Sequence, residues 1–242
     1  MVVQAQEGLL TDTDTGAQPG TAHARVLIAT AVPAERDAVA RALHDRPAID
    51  VVAVGVGPAA AAAGTATALT TAELAGDPYT LVVSAGIGGG FSTPPGTVLI
   101  ADAITVADLG AETPEGFLPV TELGFGTVTH RPPASLVRDL AAATGTAPAA
   151  VGTVLTVSTV TGTADRAALL ARRHPGAVAE AMEGFGVAEA AAAHDVPVAE
   201  IRAVSNAVGP RDRAAWRIGD ALAALTDAFG KSAPVLESWK NT

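Results

Sequence analysis

Short apolar runs of strand length recur along this chain, most of them followed by a helix-length stretch, and that alternation constrains the fold more than any other feature. The first run, Arg25-Val26-Leu27-Ile28-Ala29, is apolar at successive positions, as in a strand buried on both faces. Pro33 suits the first turn of a helix, which continues through Glu35-Arg36-Asp37 to about Leu43. Val51 to Val56 predicts a second strand, ending in Gly55-Val56-Gly57-Pro58 and followed by an Ala-rich helix to about Leu74. Tyr79 to Ser84 predicts a third, entering a loop at Ala85-Gly86-Ile87-Gly88-Gly89-Gly90. Further strands are predicted over Val98–Val106, Val151–Val157 and Val198–Ser205. Helices are predicted over Leu136–Ala143 and Asp165–Arg173, from Gly184-Phe185-Gly186 to Ala193, and over about Arg213–Phe229. Ala177–Met182 reads as the approach to the helix opened at Gly184, and residues 107–133 as loops and short strands. Such an order predicts an α/β fold, three layers (αβα) around a central mixed, mainly parallel twisted sheet.

A length of 242 residues suits one α/β domain, here read as residues 25–242. Residues 1–24 read as a disordered polar tail, without the basic start and apolar stretch of a signal peptide. Aromatic residues make up only 3% of the chain, so the core is expected to consist of Ala, Val, Leu and Ile. A formal charge of −10, with no Lys/Arg-rich block, argues against a nucleic-acid partner. The chain has no cysteine, which excludes disulfides and thiol catalysis and fits a reducing cytoplasm. Its five histidines lack metal-ligand spacing, so no metal site and no cofactor are expected. No apolar run reaches the ~18–20 residues of a membrane span, and no membrane partner is expected.

In sheets of this class ligands bind beyond the carboxyl ends of the strands. Glu35, the Gly86–Gly90 segment, Met182-Glu183 and Ser205-Asn206 all fall at such ends. The Gly-rich segments match neither the dinucleotide fingerprint nor a Walker sequence. Glycine lets backbone N–H groups approach a ligand closely, so Gly86, Ile87 and Gly88 are candidate contacts, whereas Gly55–Gly57 equally reads as a packing turn. Glu35 either complements a helix N-terminus or has a role at the ligand edge, for which Arg36 and Asp37 compete. Glu183, between Met and Gly in an Ala/Val-rich region, implies a buried carboxylate in need of partners or a cap for the following helix. Glu180 and Glu189 are set aside as lying on other faces or outside the motif. Asn206 offers both a donor and an acceptor, or closes a turn before Val208-Gly209-Pro210.

The succession Ala-Gly-Ile-Gly-Gly-Gly, then Ala-Met-Glu-Gly, then Val-Ser-Asn is similar to the nucleoside phosphorylase/nucleosidase superfamily, from about Arg25 to Phe229. Its phosphorylases grip phosphate through an Arg two residues before the first glycine and a Ser or Thr just after it. Ser84 and Ile87 stand there instead, and a phosphate dianion needs charge-assisted donors; the resemblance therefore implies water as nucleophile. It further implies that Glu35 deprotonates the water, that Glu183 accepts from the ribose hydroxyls, and that Met182 packs on the sugar or base. Adenine-releasing members carry Asp where this chain has Asn206, next to Ser205, and an amide suits a 6-oxopurine. Val160-Thr161 corresponds to the base-contacting segment; Phe185 or aliphatic contact is expected to replace the stacking aromatic that Val160 is not.

Within the superfamily the stretch Val204–Asp212, with Trp216-Arg217, is most similar to the futalosine hydrolases, which release hypoxanthine from futalosine for menaquinone synthesis. In that likeness Asp212 either replaces the missing acid or anchors a lid, and Arg211, Arg213 or Arg217 either meets the distal carboxylate of the substrate or is solvated. The resemblance thus implies a cytoplasmic hydrolase of a small purine nucleoside, working as a homo-oligomer (a dimer or larger). Rival readings are a methylthioadenosine/adenosylhomocysteine nucleosidase, a purine nucleoside phosphorylase and a non-catalytic nucleoside-binding protein.

Overall fold

The computed structural model describes residues 24–147 and 150–240, so the expected N-terminal tail lies, except for Ala24, outside the described residues. The chain runs β1 (Val26–Thr30), α1 (Pro33–Ala42), β2 (Ile49–Ala53), α2 (Pro58–Leu74), β3 (Leu81–Gly90) and β4 (Val98–Val106). A hairpin of β5 (Gly110–Thr113) and β6 (Gly116–Pro119) and the short β7 (Thr129–His130) occupy the Gly/Pro/Thr-rich middle. Then follow α3 (Ala134–Thr144), β8 (Val151–Thr156), α4 (Ala164–Arg173), β9 (Ala177–Ala181), α5 (Gly184–Ala193), β10 (Val198–Ala207) and α6 (Ile218–Ser238).

The sheet order is β10-β4-β8-β9-β3-β1-β2, with β7 beside β4 and a further pairing of β10 with β3. That last pairing closes β3, β10, β4, β8 and β9 into a ring, from which β1 and β2 extend. The β1–β2, β1–β3, β3–β10, β4–β8 and β8–β9 pairs are parallel; β4–β10, β3–β9 and β4–β7 are antiparallel. The sheet is therefore mixed and mainly parallel, as expected.

Both faces are covered, which explains the unbroken apolar runs. From β1, Leu27 and Ala29 face a core built with Ala61 and Leu69 of α2 and Val187 and Ala191 of α5. Val26 and Ile28 face the opposite core, with Val39 of α1, Leu136 and Leu140 of α3 and Leu225 and Phe229 of α6. α2 and α5 approach closely because Gly186 is side-chain-free: a Cβ there would sit 2.0 Å from the Pro58 carbonyl oxygen.

Three expectations are corrected. Gly86–Gly90 is the second half of β3, paired residue by residue with β10, and not a loop. None of those glycines has positive φ; they are glycines because neighbours crowd them. A Cβ on Gly88 would lie 2.8 Å from the Glu180 carbonyl oxygen, and one on Gly90 2.5 Å from that of Thr93. Ala177–Ala181 is a strand in its own right, held between β8 and β3. The C-terminal segment is a 3₁₀ turn, Arg213–Ala215, and then α6; the extended Trp216 interrupts them. Among the described residues no helix is long and apolar enough to cross a membrane.

Candidate active site

The site forms where β3 exchanges neighbours. On one side β3 pairs with β10 along almost its whole length. On the other it pairs with β1 as far as Ala85 and with β9 from Gly89 onward. Between those pairings the backbone of Gly86–Gly88 faces a gap, a topological switch point of the kind where α/β sheets bind ligands.

Glu35 fills part of the gap. It stands in the first turn of α1, which Pro33 starts. One carboxylate oxygen, Oε1, accepts from the Ile87 N–H at 2.9 Å, and Oε2 accepts from Ala31 N–H at 3.0 Å and Val32 N–H at 3.3 Å. The unpaired amide of β3 is thus satisfied by an acid, and that acid is fixed in place with lone pairs to spare.

Glu183 occupies the N-cap position of α5, but its side chain makes no capping bond. Instead Oε1 accepts from Gly57 N–H at 3.2 Å, and Oε2 accepts from Met182 N–H and from Arg202 Nη1, each at 3.3 Å. Gly57 has φ +86°, so the turn before α2 serves to aim this N–H.

Arg202, on β10, links these elements and was not singled out from the sequence. Its side chain is 1% exposed. Nε donates to Glu200 Oε1 at 2.9 Å, Nη1 to Glu183, and Nη2 to Ser84 Oγ at 3.0 Å. Burial alone would lower the guanidinium pKa; the carboxylates of Glu200, Glu183 and Glu35 outweigh it and raise the value. Burial pushes the Glu200 carboxyl up, against the opposing pull of Arg202. A Cβ on Gly86 would lie 2.5 Å from Arg202 Nη1 and 2.6 Å from Glu35 Oε1, so both groups converge on one bare stretch of backbone. The sequence signal was present: Glu200 and Arg202 are an i, i+2 acid–base pair inside an apolar strand, hence on one face.

Asn206 ends β10 beside Gly89. Its Nδ2 donates to the Ala207 carbonyl at 2.9 Å, and its Oδ1 accepts from Ser205 Oγ at 2.7 Å. Ser205 Oγ also lies within donating distance, 3.2 Å, of the Gly88 carbonyl. Thr161 is buried, and its N–H and hydroxyl both donate to Glu180. Val160, by contrast, is 46% exposed. Phe185 is buried against the ring of His130, with centroids 5.3 Å apart, and its N–H donates to Thr156 Oγ1. Glu189 accepts from His130 Nε2.

Asp212 lies exposed on the segment after β10, where its carboxylate accepts from Ala214 N–H and caps the 3₁₀ turn. The segment returns to the site, since Arg217 N–H donates to the Ser205 carbonyl at 2.8 Å. Arg217 pairs with Asp220, whereas Arg211 and Arg213 both lie over the Trp216 ring, 5.8 Å from its centroid. Among the described residues no His/Asp/Glu group has the arrangement of a metal site.

The geometry brings a fixed acid, a buried arginine, a second carboxylate and an amide to one sheet junction. Residues 21–237 match the model of the phosphorylase superfamily. The chain is 70% identical to a futalosine hydrolase of Streptomyces coelicolor, over 89% of this chain and 97% of that protein. It is 46% identical to a futalosine hydrolase of Acidothermus cellulolyticus, over 84% of this chain and 88% of the relative. Among solved structures, a 5'-methylthioadenosine/S-adenosylhomocysteine nucleosidase of Neisseria meningitidis superposes with a TM-score of 0.72 at 17% identity, covering 87% of this chain and 99% of that one. The futalosine hydrolase of Helicobacter pylori superposes with a TM-score of 0.70 at 14% identity, covering 88% and 98%. The chain belongs to the phosphorylase superfamily.

Proposed function

We propose that this protein hydrolyses the N-glycosidic bond of futalosine, releasing hypoxanthine and leaving dehypoxanthine futalosine. The observation that carries the reaction class is the convergence of Glu35 Oε1 and Arg202 Nη1 on the Cβ direction of Gly86, next to the Ile87 amide that holds Glu35, with Glu183 bonded to the same arginine. The choice of substrate follows the futalosine hydrolases to which the chain is most alike in sequence among the relatives above.

In this reading Glu35 takes a proton from water attacking C1′, and the ribose passes through an oxocarbenium-like state. Glu183, fixed by Arg202 and Gly57, accepts from the ribose hydroxyls. Asn206 donates to the departing base, where negative charge grows. Met182 and the Gly86–Gly88 backbone line the sugar and base. At the two positions where a phosphorylase grips phosphate, Ser84 is neutral and accepts from Arg202 Nη2, and Ile87 has no side-chain donor. Residues 25–242 act as one domain, in the cytoplasm, and as a homo-oligomer; exposed Val56, Leu109 and Phe125 are apolar surface of the kind that self-association covers.

The test is incubation with futalosine, inosine and methylthioadenosine, with and without phosphate, followed by chromatography for free base. Phosphate-independent release of hypoxanthine from futalosine is the expected result. Preference for methylthioadenosine, or dependence on phosphate, sinks the proposal.

A further inference from the structure

We infer that Glu180 reads the N1–H of a 6-oxopurine and so selects it over a 6-aminopurine, an inference that rests on the purine-nucleosidase reading above. Glu180 is 5% exposed, yet it has no ion pair among the described residues. Among the described residues its hydrogen-bond donors come from Thr161 alone: the N–H to Oε1 at 2.8 Å and the hydroxyl to Oε2. A buried carboxylate held by only two neutral donors is under-compensated. Burial pushes its pKa up and the Thr161 bonds pull it down, with weaker effects of Arg166 downward and Asp108 upward. Each oxygen keeps an accepting direction for one more donor.

The placement of Glu180 says which donor. Asn206 and Glu180 are the register partners of Gly89 on its two sides, so their side chains leave the sheet on the same face. The Cβ direction of Gly89 meets Val208 Cγ2 at 2.9 Å and Asn206 Nδ2 at 3.4 Å. Asn206 on β10, the bare backbone of Gly89 on β3 and Glu180 on β9 therefore stand in a row across three strands, roughly 10 Å from first backbone to last at the usual strand spacing, with the methyl of Val208, from the turn after β10, over Gly89. A 6-oxopurine presents the complement along one edge, with acceptors at N7 and O6 and then a donor at N1. A 6-aminopurine presents an acceptor at N1, whose lone pair would face the Glu180 carboxylate.

Asn206 alone does not make this choice. An amide can turn over, and the Ser205 hydroxyl beside it can donate or accept to suit. In its ionised form, which the two Thr161 donors favour against burial, a carboxylate only accepts. Selection against the 6-amino group therefore belongs to Glu180, with Thr161 as its holder.

The test compares binding of hypoxanthine, 1-methylhypoxanthine and adenine to the full-length wild type and to Glu180→Gln by titration calorimetry. The wild type is expected to bind hypoxanthine at least about tenfold more tightly than either of the other bases. In Glu180→Gln, whose amide can still bond both groups of Thr161, the hypoxanthine-to-adenine ratio is expected to fall at least about tenfold. Equal wild-type affinity for hypoxanthine and 1-methylhypoxanthine overturns the inference without any substitution. A loss in the variant that is equal for all three bases also overturns it, leaving Glu180 a structural role. A wild type that shows this base selectivity but does not release hypoxanthine from futalosine overturns the proposed reaction and leaves the base reader standing. One that binds none of the three bases overturns both.

Discussion

Glu35, Arg202 and Glu183 differ in what each would lose on substitution. Glu35→Gln keeps one accepting oxygen but cannot take a proton, so turnover of futalosine is expected to fall at least about a hundredfold with little change in KM. Steady-state assays check this, and near-normal turnover would remove Glu35 from the chemistry. Arg202→Met leaves the buried carboxylates of Glu200 and Glu183 facing each other unpaired. Breaking a buried pair from one side costs about 3–5 kcal/mol, readable by urea unfolding. The double variant Arg202→Met, Glu200→Leu is expected to recover part of that loss. Glu35, Glu183 and Asn206 were legible in the sequence because each ends a strand or opens a helix at the ligand edge. Arg202 left only its i, i+2 spacing from Glu200 as a signal, and Glu180 left none, because a lone charge inside a strand does not declare its partner.

The elements show the same limit in a different form. Strand and helix identities followed from apolar runs and helix starts, and β4 has the expected bounds, Val98–Val106. The glycine run after Ser84 reads locally as a turn, since glycine weakens a strand. Only the crowding by Glu35, Arg202 and Glu180, all distant in sequence, and by Thr93 at the end of the run, explains why glycines stand in an extended strand. The same close approach governs the α2–α5 pair. Gly186→Ala would place a methyl 2.0 Å from the Pro58 carbonyl and force the helices apart. Overpacking of this kind costs about 1–3 kcal/mol. Because Glu183 precedes α5 and is bonded to Gly57 just before α2, activity is expected to fall along with the thermal midpoint. A variant with a lowered midpoint and full activity would show that the helices move without disturbing Glu183.

At the scale of the molecule, the sheet class was legible and the ring was not, because closure depends on β10 pairing with both β3 and β4. The far edge of the sheet is tied by Arg25, Asp50 and Tyr79: Tyr79 donates to Asp50 Oδ2 at 2.8 Å, and the Arg25 guanidinium lies 4.4 Å from the centre of its ring. Burial, then the bond to Asp50, push the Tyr79 hydroxyl from its ordinary 10.0 up to about 12. The folded protein thus holds this proton more tightly than the unfolded chain does. Its contribution is fully present below about pH 10 and is lost as pH rises through about 12, by about 3 kcal/mol at most. Tyr79→Phe is expected to flatten that part of the alkaline stability profile, measured by denaturant unfolding from pH 9 upward; an unchanged slope would assign it to other groups.

The closed ring has a consequence in time. A strand at a free edge can peel away by giving up one ladder, but β3, β9 and β10 are each held on both sides and must give up two. Their amide protons are therefore the last to exchange with solvent, while those of β2 and of the β5–β6 hairpin exchange early. Arg202 and Glu180 stand where their strands are held on both sides, whereas Asn206 and the Ile87 amide that holds Glu35 have a ladder on one side only. Arg202 and Glu180 are thus expected to keep their positions for as long as the molecule stays folded, and faster motion is left to Asn206 and the backbone at the gap.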